Sequence, residues 1–253
     1  MNPIPHALRS SVVLRRLAGL VRAPLRLVTG KWLSVKPDTE CVKQRFGNPG
    51  ACFTVATGEL GHDSVVMSVG IGEDVSFDLG LIEAFGMTIH AFDPTPRSLA
   101  WLRTQVLPDA LRVHPYGLAN RDGDVVFYPP RNPAHVSHSA VVRHAASSAG
   151  VRCPVRTLGS LMNMLGVSRI DLLKLDIEGT EYEVLEDLAA GPIRPRQIVV
   201  EYHHRFPGIG VAKTRESIAL LRRLGYRLFD VSPSGEEFSF IFKPSLPFPS
   251  PTH

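Results

Sequence analysis

The chain has 253 residues, 44% hydrophobic and 21% charged, which is enough to bury one large α/β core and too apolar for a disordered protein. Three cysteines (Cys41, Cys52, Cys153) without a CxxC pair exclude a disulfide scaffold, speak against a zinc site and suit a reducing, cytoplasmic home; no apolar run approaches the roughly 20 residues of a membrane span. Of the net +4, seven basic residues precede the first acid, Asp38, leaving −3 for the rest, so the body offers no phosphate-tracking surface and nucleic acid is not expected as a partner.

The basic arm reads SSVVLRRLAGLVRAPLRLV from Ser10, with Val13, Leu17, Leu20 and Val21 at helical spacing. Arg15, Arg16 and Arg22 interrupt the apolar stretch that a secretory signal needs. Two readings stand for this arm. It is an interfacial helix giving peripheral membrane contact or a flap over the active site, or else a packed or frayed extension. Residues 1–60 are read as arm and lead-in, 61–243 as one domain, and 244–253 as a loose proline-rich tail. With no strand predicted there, the arm up to about Lys36 is expected to be dispensable for folding.

From Ser64 onward, β-rich runs alternate with helical patterns, the signature of a parallel sheet with crossover helices. SVVMSVG is the first strand and ends in Gly70-Ile71-Gly72-Glu73-Asp74. A helix follows with Val75, Leu79, Ile82 and Phe85 on overlapping turns, and Gly86 suits its stop. MTIHAF ends at Asp93, where Pro94 and Pro96 forbid continuation. A helix around Ser98–Val106, the strands LRVHPYG and VVFYPP, and a loop carrying His135, His138 and His144 come next. After the strand-like RCPVRT, the near-continuous apolar run IDLLKLD reads as a strand buried on both faces. A helix from about Thr180 to Ala190, the strand RQIVVEYH and a helix with Ile218, Leu221 and Leu224 follow. YRLFDV and FSFIF, joined by Ser-Pro-Ser-Gly, form an antiparallel hairpin.

Strand, Gly-x-Gly turn, helix and an acid at the end of the second strand make a nucleotide-reading layout; Gly72 and Asp93 are 21 residues apart. Ligands in such sheets sit at the carboxyl ends of the strands. A dinucleotide fingerprint needs a third glycine, but Val75 stands there, and Glu73 and Asp74 would repel a pyrophosphate. S-adenosylmethionine has a ribose but no phosphate, and its sulfonium and ammonium favour nearby carboxylates. The two acids can also simply complement the helix dipole.

In this order, SVGIGEDVSFDLGLIEAFG, HAFDPTPRS, LLKLDIEGTEYEVL and VVEYHH resemble the FkbM family of S-adenosylmethionine-dependent methyltransferases, over roughly Ser64 to Phe242 and most specifically around Lys174–Glu183. The resemblance implies the class I methyltransferase fold, a Rossmann-like seven-stranded, mostly parallel sheet with a reversed last strand, flanked by helices. It also implies methylation of a hydroxyl on a small acceptor, a sugar or secondary metabolite. Carried over by position, Gly70 and Gly72 form the cofactor turn with Glu73 beside it, Asp93 binds ribose, Leu118 lines the adenine and Asp176 faces the donor. Ser68 and Asp74 depart from the general class I pattern, which has an acid and a third glycine there.

A neutral alcohol needs a base as its oxygen is methylated. The candidates cluster at two strand ends: Asp176, Glu178 and Glu181 after one, Glu201, His203 and His204 after the next. Glu201 and His203 point the same way along a strand and His204 the other way. His203, oriented by Glu201 or Asp176, is taken as the base, since an unperturbed imidazole is largely neutral near pH 7. Glu181 and Glu183 read as helix-dipole acids. Acids and His could together hold a divalent metal, but no spacing singles one out and none is assigned. A nicotinamide-dependent oxidoreductase and a non-catalytic binding module on the same fold are the competing functions.

Overall fold

The computed structural model describes residues 33–128 and 150–244. The arm before Leu33, the loop carrying His135, His138 and His144, and nearly all of the proline-rich tail lie outside them. A hairpin, β1 (Lys43–Phe46) and β2 (Phe53–Ala56), leads into β3 (Val66–Val69), α1 (Ser76–Phe85), β4 (Ile89–Phe92), α2 (Pro96–Leu102) and β5 (Leu111–His114). Three strands follow, β6 (Gly117–Leu118), β7 (Gly123–Phe127) and β8 (Val151–Arg156), then α3 (Leu158–Leu165). The chain continues through β9 (Leu172–Leu175), α4 (Glu181–Ala190), β10 (Gln197–Glu201), α5 (Gly210–Arg223), β11 (Tyr226–Val231) and β12 (Glu237–Phe242).

Seven strands form the main sheet in the order β11-β12-β10-β9-β3-β4-β5. β3, β4, β5, β9 and β10 run parallel, and β12 pairs antiparallel to both β10 and β11, so the terminal hairpin slots its last strand inside. This is the class I methyltransferase fold. The order reverses between β3 and β9, whose carboxyl ends open a crevice there. Both faces are covered, which is why the central strands are apolar without alternation. Val66, Leu172 and Val199 pack with α1, α2 and the N-terminal hairpin, while Met67, Val69, Leu173, Leu175, Ile198 and Val200 pack with α3, α4 and α5. α1 stops where Gly86 donates its N–H to the Ile82 carbonyl at 2.8 Å.

Four features depart from the sequence reading. The β1–β2 hairpin lies before the first predicted strand and is fixed to the sheet by Gln197, whose buried amide bonds both the N–H and the carbonyl of Ala56, at 2.8 and 3.0 Å. β6, β8 and β7 form a separate small sheet. α3 is absent from the sequence reading because LGSLMNML is short and carries a glycine, Gly159, in its first turn; Thr157 Oγ1 accepts from the Ser160 N–H and starts it. Leu33 is 1% exposed and belongs to the core, so part of the segment up to Lys36 that was expected to be dispensable packs into the body. Among the described residues no helix is long and apolar enough to cross a membrane.

Candidate active site

The glycine turn and the end of β9 are built against each other. Gly70 adopts φ +82° and a Cβ there would lie 1.7 Å from the Asp176 carbonyl oxygen, so only glycine lets the two segments approach this closely. Gly72, at φ +60°, faces open space. Asp93 holds the turn from the next strand. Its Oδ2 accepts from the N–H groups of Ile71 and Gly72 at 3.2 and 3.0 Å, and its Oδ1 accepts from the N–H and hydroxyl of Thr95 at 2.9 and 2.7 Å. Those bonds fill the roughly four acceptor positions of a carboxylate. Of the paired acids in the turn, Glu73 meets Arg97 Nε at 2.7 Å, and Asp74 accepts from the Ser76 N–H at 2.7 Å and ties the start of α1.

Above this turn lies a cavity of about 350 Å³, within the range of small-molecule sites. Gly70, Gly72, Glu73, Asp93, Leu118 and Asp176 all line it, so the structure brings together every residue proposed from sequence for the cofactor. Glu178 and Thr180 extend the wall. A neighbouring cavity of about 330 Å³ shares Leu118, Phe127 and Thr180 with it.

Beyond Asp176, four carboxylates surround one imidazole. His203 Nε2 lies 3.8 Å from Asp176 Oδ1, 3.5 Å from Glu178 Oε2 and 3.9 Å from Glu201 Oε1, while Nδ1 is 3.4 Å from Glu181 Oε1. Parallel pairing of β9 with β10 sets Leu175 opposite Val200 and so brings the two strand ends together. Glu178 is reached by a tight turn at φ 55°, which among the described residues no other non-glycine shares with it. Glu181 is wholly buried and accepts from the N–H groups of Gly179 and His203, both at 2.8 Å. It clamps the end of β9 to the end of β10, a role its place in the first turn of α4 does not reveal.

This setting acts on the titration of His203. Burial lowers the imidazole pKa, but contact with Glu181 and the charges of Glu181, Glu178 and Asp176 outweigh it and raise the value to about 10. This upward pull favours the imidazolium, whereas a general base needs the neutral ring. Burial, reinforced by the charge of Asp176, pushes Glu201 up to about 9, and burial also raises Asp176 against the pull of Lys174 and His203. Burial thus favours the protonated forms of Glu201 and Asp176. One donor atom each from Asp176, Glu178 and His203 lies within 4.8 Å of the others.

The model of the FkbM methyltransferase domain matches residues 66–228. "Probable methyltransferase-like protein 24" of Rattus norvegicus is 28% identical over 207 residues, covering 78% of this chain and 48% of that protein. The 31-O-demethyl-FK506 methyltransferase FkbM of Streptomyces tacrolimicus is 26% identical over 205 residues, covering 69% of this chain and 77% of that protein. The chain spans about half the length of the rat and human methyltransferase-like relatives it matches. The crystal structure of methyltransferase FkbM from Methylobacillus flagellatus KT aligns with a TM-score of 0.45 at 15% identity, covering 74% of this chain and 46% of that one.

Proposed function

Because the chain belongs to the FkbM methyltransferase family, we propose that it uses S-adenosylmethionine to O-methylate a hydroxyl of a small acceptor, a sugar or secondary metabolite. The observation that carries this reading is the double position of Asp176. Its backbone closes against the Gly70 turn in the cavity wall, and its carboxylate lies 3.8 Å from His203. One residue thus joins a nucleoside-sized cavity to a cluster of acids and imidazole.

S-adenosylmethionine supplies an electrophilic methyl group on a sulfonium. The protein has to align acceptor oxygen, methyl and sulfur, and to take one proton. In this reading the Gly70–Gly72 turn and Asp93 receive the ribose end, Leu118 lines the adenine, and Asp176 faces the sulfonium. Glu73, neutralised by Arg97, stands at the same wall. Asp93 contacts ribose through a carboxylate already bound to the turn, so ligand and turn share its lone pairs. His203, as imidazolium, holds the surrounding carboxylates in place. Glu201 accepts the acceptor proton once a cationic donor beside Asp176 favours ionisation of the cluster.

The same wall disfavours a nicotinamide dinucleotide. Glu73, Asp74, Asp93, Asp176 and Glu178 all line the cavity, and this concentration of carboxylates would repel a pyrophosphate. A binding module would retain the cavity without turnover. The reading carries with it a cytoplasmic home, for which the free thiols of Cys41, Cys52 and Cys153 speak. Incubation of the full chain with S-adenosylmethionine and a panel of sugars and hydroxylated metabolites tests the proposal. Formation of S-adenosylhomocysteine that depends on one acceptor supports it. A chain that binds the donor but methylates none of the hydroxylated compounds, while methylating an amine or a carbon acid, contradicts it.

A further inference from the structure

We propose that Asp176, Glu178 and His203 form a binding site for one divalent transition-metal cation, of the manganese or zinc class, in the wall of the donor cavity. The site itself goes beyond the methyltransferase reading; only the role given to it below rests on that reading. The donor atoms are Asp176 Oδ1, Glu178 Oε2 and His203 Nε2, with Nε2 at 3.8 and 3.5 Å from the two oxygens. Hydrogen bonds between such groups would be about 2.7–3.2 Å long. Ligands around a common cation at about 2.0–2.2 Å stand about 3–3.6 Å apart; Nε2 is close to that spacing from both oxygens, and all three donor atoms lie within 4.8 Å of one another.

A second observation comes from the imidazole itself. His203 is 7% exposed, its Nδ1 makes no hydrogen bond, and its Nε2 is directed at the oxygens of Asp176, Glu178 and Glu201. A buried ring of this kind ordinarily donates or accepts through both nitrogens. Glu181 fixes its backbone N–H, which presents the ring to the acids rather than to solvent. Four carboxylates converge on the imidazole, and Lys174 Nζ is 3.9 Å from Asp176, so a dication would add positive charge where the acids meet. Two carboxylates with one imidazole select against calcium and magnesium, which favour oxygen alone, and suit manganese or zinc.

On ligation, Nε2 exchanges its proton for the cation. Asp176 and Glu178 both line the cavity, so an acceptor hydroxyl can reach the metal's open side. The cation would make that hydroxyl more acidic, and Glu201, 3.9 Å from Nε2, lies next to the site to take the proton.

The test is a titration of the chelator-treated full chain with Mn2+ alone, followed by electron paramagnetic resonance of the free ion, with Zn2+ as competitor. The expected result is one saturable Mn2+ per chain, displaced by Zn2+. Binding should weaken at least tenfold in Glu178→Gln and in His203→Ala and stay unchanged in Glu183→Gln, an exposed acid at the start of α4. Each variant is checked by its melting curve, and Glu178→Gln, on the cavity wall, serves if His203→Ala does not fold. Absence of saturable binding to folded wild type, or equal binding in wild type and Glu178→Gln, overturns the site. The same samples are titrated with S-adenosylmethionine. Donor binding without Mn2+ binding defeats this inference alone, and Mn2+ binding without donor binding defeats the cofactor reading alone.

Discussion

The ammonium of Lys174 donates a hydrogen bond to the carbonyl of Gly70 and so ties the centre of the sheet to the underside of the glycine turn. The same ammonium lies 5.4 Å from the ring centroid of Phe53 in the N-terminal hairpin. Asp78, buried on α1, is raised by its burial and drawn down by the charge of Lys174. One buried cation therefore links hairpin, helix, turn and the neighbourhood of Asp176.

Replacing that cation should be costly. Lys174→Met leaves Asp78 buried without its compensating charge, and the expected loss is about 3–5 kcal/mol of stability by urea unfolding. Adding Asp78→Asn should recover much of it, giving a clear coupling in a double-mutant cycle. Strictly additive effects would show that the two groups do not interact.

Asp93 should serve fold and ligand together. Four bonds to the turn and to Thr95 mean that Asp93→Ala lowers donor-free stability by about 1–3 kcal/mol. It should also weaken S-adenosylmethionine binding by a similar amount. A melting temperature equal to wild type would contradict the structural half of this account, and unchanged affinity the ligand half.

The parallel core was legible in the chain because IDLLKLD and RQIVVEYH are apolar runs that only a strand covered on both faces tolerates. The glycine turn and Asp93 were legible from spacing. The hairpin at Lys43–Ala56 was not, because its attachment depends on side chains far off in sequence, Gln197 on Ala56, Asp230 on Lys43 and Ser239 on Thr54. Nor was the ring of acids around His203, which needs Glu178 and Glu181 to fold back from the following turn and helix. Local sequence places those acids on α4 and its lead-in, where the helix dipole is explanation enough.

Stability of the donor-free protein should fall as pH rises. Glu201 stands at about 9 when folded against an ordinary 4.5, so the native state binds the extra proton between those values and loses stability on going up through them. His203, at about 10 against 6.5, has the same sign: its contribution is complete below 6.5 and is lost as pH passes through 10. Melting temperatures from pH 5 to 9 should decline, and Glu201→Gln should flatten the slope and melt above wild type at pH 9. A wild-type curve that rises across this range would contradict the assignment.

The boundary of the dispensable arm should fall just before Leu33. A chain beginning at residue 33 should melt close to the full chain, whereas one beginning at residue 37 loses a core side chain. Leu33→Ala alone should cost about 2–5 kcal/mol, as for other core leucines. Equal melting of the two truncations would show that Leu33 contributes no packing energy.

Calorimetric titration of the full chain with S-adenosylmethionine tests the central claim most directly, with NAD as the parallel titrant. The cavity between the Gly70 turn, Asp93, Leu118 and Asp176 predicts one saturable site per chain for S-adenosylmethionine and no saturable heat with NAD. A folded protein that gives no heat with S-adenosylmethionine, or that binds NAD in its place, would contradict the account.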